Sequence, residues 1–461
     1  MGHVPAIFAQ SLAEDLGARF IASYLDPLMY DVALIEDPAP TNSEGERRAE
    51  VPAHQIVRSL TTAAQSKASN TIVLLYANTG GGHLAAAQAV ASEIARVGLG
   101  RFTVSLVDPA AMSPSRLIRW GARIYGPMIR RTPKLWGCIF HATNSALAVA
   151  LARRTLLRAS RLPAATRNDS LPVAVVSFHP LLTHIAAATP RCGPAITVVT
   201  DMVTIHRSWA CPGVDTVVAP SAAAGDQLSK YGLVDGSITE VGLPVARPFF
   251  EMTERDNRRD QFRRKLGLAP GFVVLLCGGG EGSGGLVRQA QALLARCPGV
   301  TVAAICGRNK AAKARLDAMA SVHAGRLIVG GYVDNVAEWM AASDIVATKA
   351  GPGTIAEALV CGKPLLLTGH LSGQERGNAE WVVSHGAGME ARRTSGLIDA
   401  VLALKHDPPR LAYMAGRARH MARPEASAAI AQLVVSAARS AATLGFGARS
   451  PLDSETLGAH R

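Results

Sequence analysis

Val346-Ala-Thr-Lys349-Ala-Gly351-Pro-Gly353-Thr354-Ile-Ala-Glu357 leads from a short apolar strand through a Gly-Pro-Gly turn into a helix. Gln374-Glu375-Arg-Gly-Asn378 begins seventeen residues after Glu357. A helix entered through glycines presents unpaired N–H groups and about half a positive charge, which makes it an anion site. A carboxylate just behind it, Glu357, can accept hydrogen bonds from two vicinal hydroxyls such as those of a ribose. The amide of Gln374 and the acid of Glu375 suit a polyhydroxylated ring. Diphosphate, ribose and sugar recognition on one stretch is what a nucleotide-sugar donor site requires.

Working outward, apolar strands alternate with helical stretches in two series. The first comprises Thr71–Ala77, Thr103–Val107, Val173–Ser177, Ala195–Thr200 and Thr216–Ala219. The second comprises Phe272–Cys277, Thr301–Cys306, Arg326–Val329, Asp344–Thr348 and Pro364–Thr368. Such alternation predicts parallel sheets with helices on both faces. The expected fold is α/β, two Rossmann-like doubly wound domains facing a central cleft. The expected division is an N-terminal extension with a polar linker at 1–70, a first domain at 71–247 and a linker at 248–264. A second domain at 265–435 and a disordered tail at 436–461 complete it.

A chain of 461 residues exceeds one ordinary core, in keeping with two domains. With 48% hydrophobic and 18% charged residues the balance is that of a globular protein. Seven cysteines form no Cys-x-x-Cys pair, which reads as reduced thiols in a cytosolic chain. The longest apolar stretch, Ala146–Ala152, falls far short of the roughly 20 residues that span a bilayer. The N-terminus lacks the basic and apolar regions of a signal peptide. The net charge is +13, and residues 109–168 hold eleven Arg or Lys and no Asp or Glu. That block points to an acidic surface partner. Arg116, Arg119 and Arg123 share one helical face there, with Trp120, Tyr125, Trp136 and Phe140 interleaved. A basic amphipathic helix with aromatics suits an anionic membrane surface. The plain alternative is a solvated helix face. Nucleic acid is not expected, because no recognised binding module is present.

Three glycine loops follow strands. Gly80-Gly81-Gly82-His83-Leu-Ala85 fits G-x-G-x-x-A, and Asp108 ends the next strand, so a nicotinamide or flavin site competes at this point. Gly278-Gly279-Gly280-Glu-Gly282-Ser-Gly-Gly285 contains G-x-G-x-x-G, but its next strand ends in Cys306-Gly-Arg308-Asn-Lys310 with no acid for a ribose. Tight strand–helix packing would also explain any one such loop. Arg308, Lys310 and Lys349 can offset diphosphate charge, and no Asp-x-Asp pair is placed to hold a metal. His83, at a helix start that disfavours imidazolium, should be neutral and able to take a proton; a capping role is the alternative. Phe178-His179-Pro and Thr200-Asp201, with His206 and Trp209, lie at strand ends on the edge where ligands bind.

These motifs, in this order, resemble the monogalactosyldiacylglycerol synthase group. Its relatives are the processive diacylglycerol glucosyltransferases and, further off, the lipid II-forming N-acetylglucosaminyltransferase. The carriers are Thr79-Gly-Gly-Gly-His83, Phe178-His-Pro180, Val199-Thr-Asp201 with His206 and Trp209, and Gly242-Leu-Pro244. Gly278–Gly282, Cys306–Lys310, Thr348–Glu357 and Gly373-Gln-Glu375 with Gly377-Asn378 complete them. The resemblance runs from about residue 71 to 425. Asn78 departs from the family pattern, as does Val245-Ala-Arg247 after Gly242-Leu-Pro.

The resemblance implies a GT-B fold and an inverting, metal-independent hexosyltransferase without a cofactor. It would move galactose or glucose from UDP to diacylglycerol at the inner face of the cell membrane. His83 would be the base, with Asp201 the second catalytic candidate. Gly279, Gly280, Arg308, Lys349, Gly351, Gly353, Thr354, Glu357, Gln374, Glu375 and Asn378 would hold the donor. Gly81, Gly82, His179, His206 and Trp209 would meet the acceptor. The rivals are a UDP-N-acetylglucosamine-dependent transferase or a nucleotide-sugar epimerase, a non-catalytic binding subunit, and an NAD(P) oxidoreductase.

Overall fold

A computed structural model describes residues 70–78, 81–113, 116, 119, 126–128, 132–159, 171–251 and 258–443. The N-terminal extension, Thr79, Gly80, Trp120, Arg123, Tyr125 and residues 444–461 lie outside these. Two six-stranded sheets, parallel throughout, carry the chain. The first has the order β2-β1-β3-β4-β5-β6, from β1 (Thr71–Leu75), β2 (Thr103–Val107), β3 (Ala174–Ser177), β4 (Ala195–Val198), β5 (Thr216–Ala219) and β6 (Ile238–Glu240). The second has the order β12-β11-β10-β7-β8-β9. Its strands are β7 (Phe272–Cys277), β8 (Val300–Ile305), β9 (Leu327–Gly330), β10 (Ile345–Lys349), β11 (Leu365–Gly369) and β12 (Gly388–Glu390).

The inner strands are buried on both faces, as β8 (Val300–Ile305) is along its whole length, because helices cover both sides. In each sheet the strand order reverses once, between β1 and β3 and between β7 and β10. Ligands bind in such folds at the carboxyl ends of the strands flanking the reversal. The loops there are the glycine loops after β1, β7 and β10. The helices include α1 (Gly82–Val97), α2 (Pro133–Thr143), α3 (Ala146–Ala159) and α4 (Leu286–Arg296), then α5 (Lys310–Val322), α6 (Pro352–Val360), α7 (Arg376–Ser384) and α8 (Ala426–Thr443).

Helix α8 departs from the expected division. It does not end at 435 as part of the second domain, nor does a tail begin at 436. Ile430, Ala431, Val434, Val435 and Ala438 are buried in the first domain's core, with Ile72, Leu74, Val90 and Ile94. The apolar face of α8 covers α1 and the first sheet, and Ser427 Oγ ties its start to the Val245 carbonyl (2.7 Å). The chain therefore crosses back, and its end completes the core that its beginning opened. The stretch at 248–264 is partly helical, with Arg247–Glu251 and Arg259–Lys265 on either side of residues outside those described. No single described helix is long and apolar enough to cross a membrane; Leu135–Thr143 and Ala146–Leu157 pass on length and composition only as a pair bent by 92°.

Candidate active site

A cavity of about 430 Å³ lies between the two sheets' ligand edges. Gly81, Gly82, His83, Thr200 and Asp201 line it from one side, and Gly279, Gly280, Lys349, Gly351, Gly353, Thr354, Glu357, Gln374 and Glu375 from the other. The sequence motifs thus converge on one cleft. Helices α1 and α6 both start at it through a glycine, Gly81 and Gly351, with no side chain capping either end. Their first N–H groups are left for a ligand. Cβ atoms on Gly279 and Gly353 would meet nothing within 4 Å. Those two leave the backbone open to close approach by a ligand. Gly282 and Gly307 serve packing instead: a Cβ on Gly282 would lie 1.8 Å from the Cys306 carbonyl, and one on Gly307 would lie 2.5 Å from two carbonyls of the 278–280 loop.

His83 Nδ1 lies 2.7 Å from Thr200 Oγ1. Burial pulls its imidazole down to about 4, only partly offset by the Phe178 carbonyl. The ring is therefore neutral near pH 7, as expected, though burial rather than the helix start is the main cause. His179 stands edge-on behind it, ring centroids 4.8 Å apart, and its own pKa is held well down by burial and by His83. Thr200, which fixes the ring of His83, was visible in the sequence only as a neighbour of Asp201.

Asp201 is buried, and both oxygens are engaged. Oδ2 accepts from Trp209 Nε1 (2.7 Å) and Oδ1 from Gln374 Nε2 (2.7 Å). Burial raises its pKa, and the two donors oppose the rise. Asp201 thus ties the first domain to the second at the cavity wall. Glu357 also lines the cavity, and burial lifts its carboxyl to about 8. No protein hydrogen bond to that carboxyl occurs among the described residues.

Several expected contacts fall elsewhere. Trp209 is fully buried, so it does not meet an acceptor; it orients Asp201 and packs 6.5 Å from the His83 ring. His206 has both ring nitrogens engaged, with Ser208 Oγ at 2.7 Å and Thr143 Oγ1 at 3.2 Å, and anchors α2 instead of facing the cavity. His179 likewise backs His83 and is not in the lining. Asn378 is buried with its amide in use: Oδ1 accepts from the Val203 N–H (3.2 Å) and Nδ2 donates to the Ala350 carbonyl (3.0 Å). It joins the domains and does not face the donor. Glu375 is buried too; its carboxylate pairs with Lys349 and accepts from the Leu371 N–H (2.8 Å). The charge of Lys349 is thereby committed to Glu375 and not free for diphosphate. Arg308 remains at the cleft's rim: it pairs with Glu281 (3.4 Å), lies over the Tyr332 ring, and sits 3.7 Å from where a Cβ of Gly81 would be.

Asp108 bears on the dinucleotide alternative. Its oxygens accept from the N–H groups of Asn78, Ala110 and Ala111, so the carboxylate that a ribose would need caps a short helix instead. Of the basic face, Arg116 is exposed. Arg119 is half-buried, its guanidinium donating to the Ser113 carbonyl.

Two doubly wound domains that bring an uncapped helix start, a buried carboxyl and a buried neutral histidine to one cleft have the GT-B glycosyltransferase architecture. Residues 83–245 match the family described as "Monogalactosyldiacylglycerol (MGDG) synthase", and residues 273–432 match "Glycosyltransferase family 28 C-terminal domain". The "Probable monogalactosyldiacylglycerol synthase 2, chloroplastic" of Oryza sativa subsp. japonica is 33% identical over 343 residues, covering 70% of this chain and 71% of its own. The "Monogalactosyldiacylglycerol synthase 3, chloroplastic" of Arabidopsis thaliana is 32% identical over 384 residues, covering 77% and 79%. The chain belongs to the monogalactosyldiacylglycerol synthase family. Among solved structures, the S. aureus MnaA–UDP complex shares the fold, with a TM-score of 0.51 at 13% identity over 78% of this chain and 94% of that one.

Proposed function

We propose that this protein transfers galactose or glucose from a UDP-sugar to the free hydroxyl of diacylglycerol, with inversion at the anomeric carbon. The observation that carries this reading is the neutral His83 across the cleft from the uncapped start of α6 and the unpartnered Glu357. The acceptor hydroxyl attacks the anomeric carbon from the face opposite UDP. Its proton passes to the imidazole, whose orientation Thr200 sets. The bond from the anomeric carbon to the diphosphate oxygen breaks, and UDP leaves with the electron pair. The N–H groups at the start of α6, with Arg308 nearby, meet the charge that develops on the leaving diphosphate, a preorganised stabilisation. Glu357 accepts from the ribose hydroxyls, and Gln374 contacts the sugar. In this reading no cofactor or metal takes part.

The same reading places the enzyme on an anionic membrane surface, at the inner face of the cell membrane. The bent helix pair α2 and α3 supports it better than the Arg116–Arg123 face does. Leu147 and Leu151, one turn apart on α3, are 71% and 58% exposed, and Leu135 on α2 is 42% exposed. Arg153 and Arg154 are exposed beside them. Apolar side chains with flanking arginines suit the headgroup boundary of a bilayer.

The test incubates the protein with diacylglycerol vesicles and either UDP-galactose or UDP-glucose. Mass spectrometry identifies the lipid product and proton NMR its anomeric configuration. A β-linked monohexosyl diacylglycerol is expected. Absence of hexosyl lipid from both donors, or an α-linked product, refutes the reading.

A further inference from the structure

Gln374 is held from both ends by the first domain. Its Oε1 accepts from Trp136 Nε1 on α2 (3.3 Å), and its Nε2 donates to Asp201 Oδ1 (2.7 Å). An indole N–H can only donate. Asp201, which receives an N–H on each oxygen, acts here as an acceptor. The two partners together permit one orientation of the amide: oxygen toward Trp136, nitrogen toward Asp201. Reversing it would face two donors and two acceptors against each other.

The contacts around this clamp are close. A Cβ on Gly137 would lie 2.5 Å from Ser372 Cβ, and one on Gly373 would lie 2.9 Å from the Phe140 ring. Helix α2 thus lies directly on the loop that carries Gln374. Phe140 and Thr143 in turn meet His206, with the Phe140 and His206 rings 5.1 Å apart and edge-on. The helix is pinned to both domains, so Trp136 is placed to hold the amide and not merely to touch it.

We propose that Trp136 is a positioning residue for the donor's sugar, acting through Gln374. After both clamping bonds, the amide keeps one N–H and one lone pair, fixed in space at the cavity wall. Sugar epimers differ in where one hydroxyl points, so a fixed donor and acceptor pattern can tell them apart, whereas an amide free to flip presents both patterns. Once a bound sugar covers this half-buried amide, a wrongly matched hydroxyl loses its bond at full desolvation cost. Trp136 therefore contributes to discrimination between hexoses without touching the sugar. This inference rests on the reading of Gln374 as a sugar contact.

The experiment is a double-mutant cycle between Trp136→Phe and Gln374→Ala. Phe keeps the ring body and removes the N–H. Binding of UDP and of each UDP-hexose is measured by calorimetry, and kcat/KM is measured for UDP-galactose and UDP-glucose. In the parent background, Trp136→Phe should lower UDP-hexose affinity and kcat/KM about fivefold to tenfold, the usual effect of one hydrogen bond. It should narrow the ratio between the two donors and leave UDP affinity and the melting temperature unchanged. In the Gln374→Ala background it should change nothing further. Full donor discrimination retained by Trp136→Phe, or an equal loss in both backgrounds, overturns the proposal while leaving Gln374 as a sugar contact. If Gln374→Ala itself binds UDP-hexoses like the parent, the sugar contact fails and the positioning role with it. Because hexose binding is read by calorimetry, an inactive parent would refute the proposed transfer, and the binding cycle would still support or overturn the clamp.

Discussion

Glu357→Gln tests the donor site through two independent quantities, stability and proton release. Burial lifts the Glu357 carboxyl from 4.5 to about 8 in the unliganded protein. Each tenfold change in proton affinity corresponds to about 1.36 kcal/mol, so ionising this group in the folded chain costs at most roughly 5 kcal/mol. The side chain borders an open cleft, and water screening brings the expected cost to about 2 kcal/mol. The folded state binds the proton more tightly than the unfolded chain, so stability falls as pH rises from about 4.5 and the loss is complete above about 8. Gln has the same shape and no charge. Urea unfolding of parent and variant at pH 5 and pH 9 should therefore show the variant gaining about 2 kcal/mol on the parent between the two.

Ligand binding should run the other way. Ribose hydroxyls donating to the carboxyl favour its ionised form, so UDP expels the proton. At pH 6.5 the parent should release protons on binding UDP, read by calorimetry in buffers of different ionisation enthalpy. Affinity should climb with pH up to about 8 and then level off. The variant should release fewer, because the terminal phosphate of UDP ionises near the same pH and contributes in both proteins. Its affinity should fall about tenfold to a hundredfold, the value of hydrogen bonds to a charged group. A parent that releases no proton, together with a variant of unchanged UDP affinity, refutes both the burial argument and the ribose role.

The remaining predictions concern the base, the membrane face and α8. His83→Ala should leave UDP affinity intact and cut turnover about 10²–10⁴-fold, the usual cost of a lost general base; a fall of less than tenfold in a folded variant places the base elsewhere. With its pKa near 4 in the fold and 6.5 when unfolded, His83 is a site where the native state holds fewer protons, so stability declines as pH drops through that window. The decline should be shallower in His83→Gln, measured by urea midpoints from pH 7 to pH 4. Replacing Leu147 and Leu151 together with Gln should release the protein from anionic vesicles by about 2–4 kcal/mol, since each apolar side chain withdrawn from water contributes about 1.5–3 kcal/mol when fully buried; unchanged sedimentation removes α3 from the docking face. Ile430→Ala should destabilise the chain by about 2–5 kcal/mol, with lost hydrogen-exchange protection in β1 and β3 of the first sheet; protection lost only in the second sheet contradicts the placement of α8.

Ten of the twelve strands were legible from apolar runs, and the two missed show why. Ile238–Glu240 and Gly388–Glu390 are three-residue edge strands with no apolar run. Each pairs along one edge only and lies at the rim of its sheet, so little burial is demanded of its side chains. The crossing of α8 was illegible for a different reason. Its spacing of apolar residues specifies an amphipathic helix, but either sheet would satisfy that face, and only the closing of the chain on Val245 selects the first. Thr200 carried no signal of its own, and Trp136 stood out only as an aromatic of the basic segment. Each matters by reaching a residue far away in sequence, His83 or Gln374, and a hydrogen bond of that kind has no period along the chain.

The motif residues that miss the cavity follow one rule. Asn378, Trp209 and His206 stand inside the stretches that marked the donor and acceptor sides, yet each has its polar atoms committed to the protein. Asn378 links the Val203 amide to the Ala350 carbonyl across the cleft, and Trp209 steadies Asp201, which binds Gln374 of the other domain. His206 holds α2, and α2 holds Gln374 from the opposite end. A cleft between two domains must be fixed to fractions of an ångström for an acceptor hydroxyl to face the anomeric carbon. The polar residues that fix it therefore have to sit beside those that touch the ligand, on the same short loops. A sequence motif records both kinds as one signature. They separate only when donors and acceptors are counted at the cavity wall: Asn378, Trp209 and His206 spend theirs on protein away from the lining and are frame, whereas Gln374 keeps one N–H and one lone pair at the wall and Glu357, with no bond from protein among the described residues, is left for the ligand.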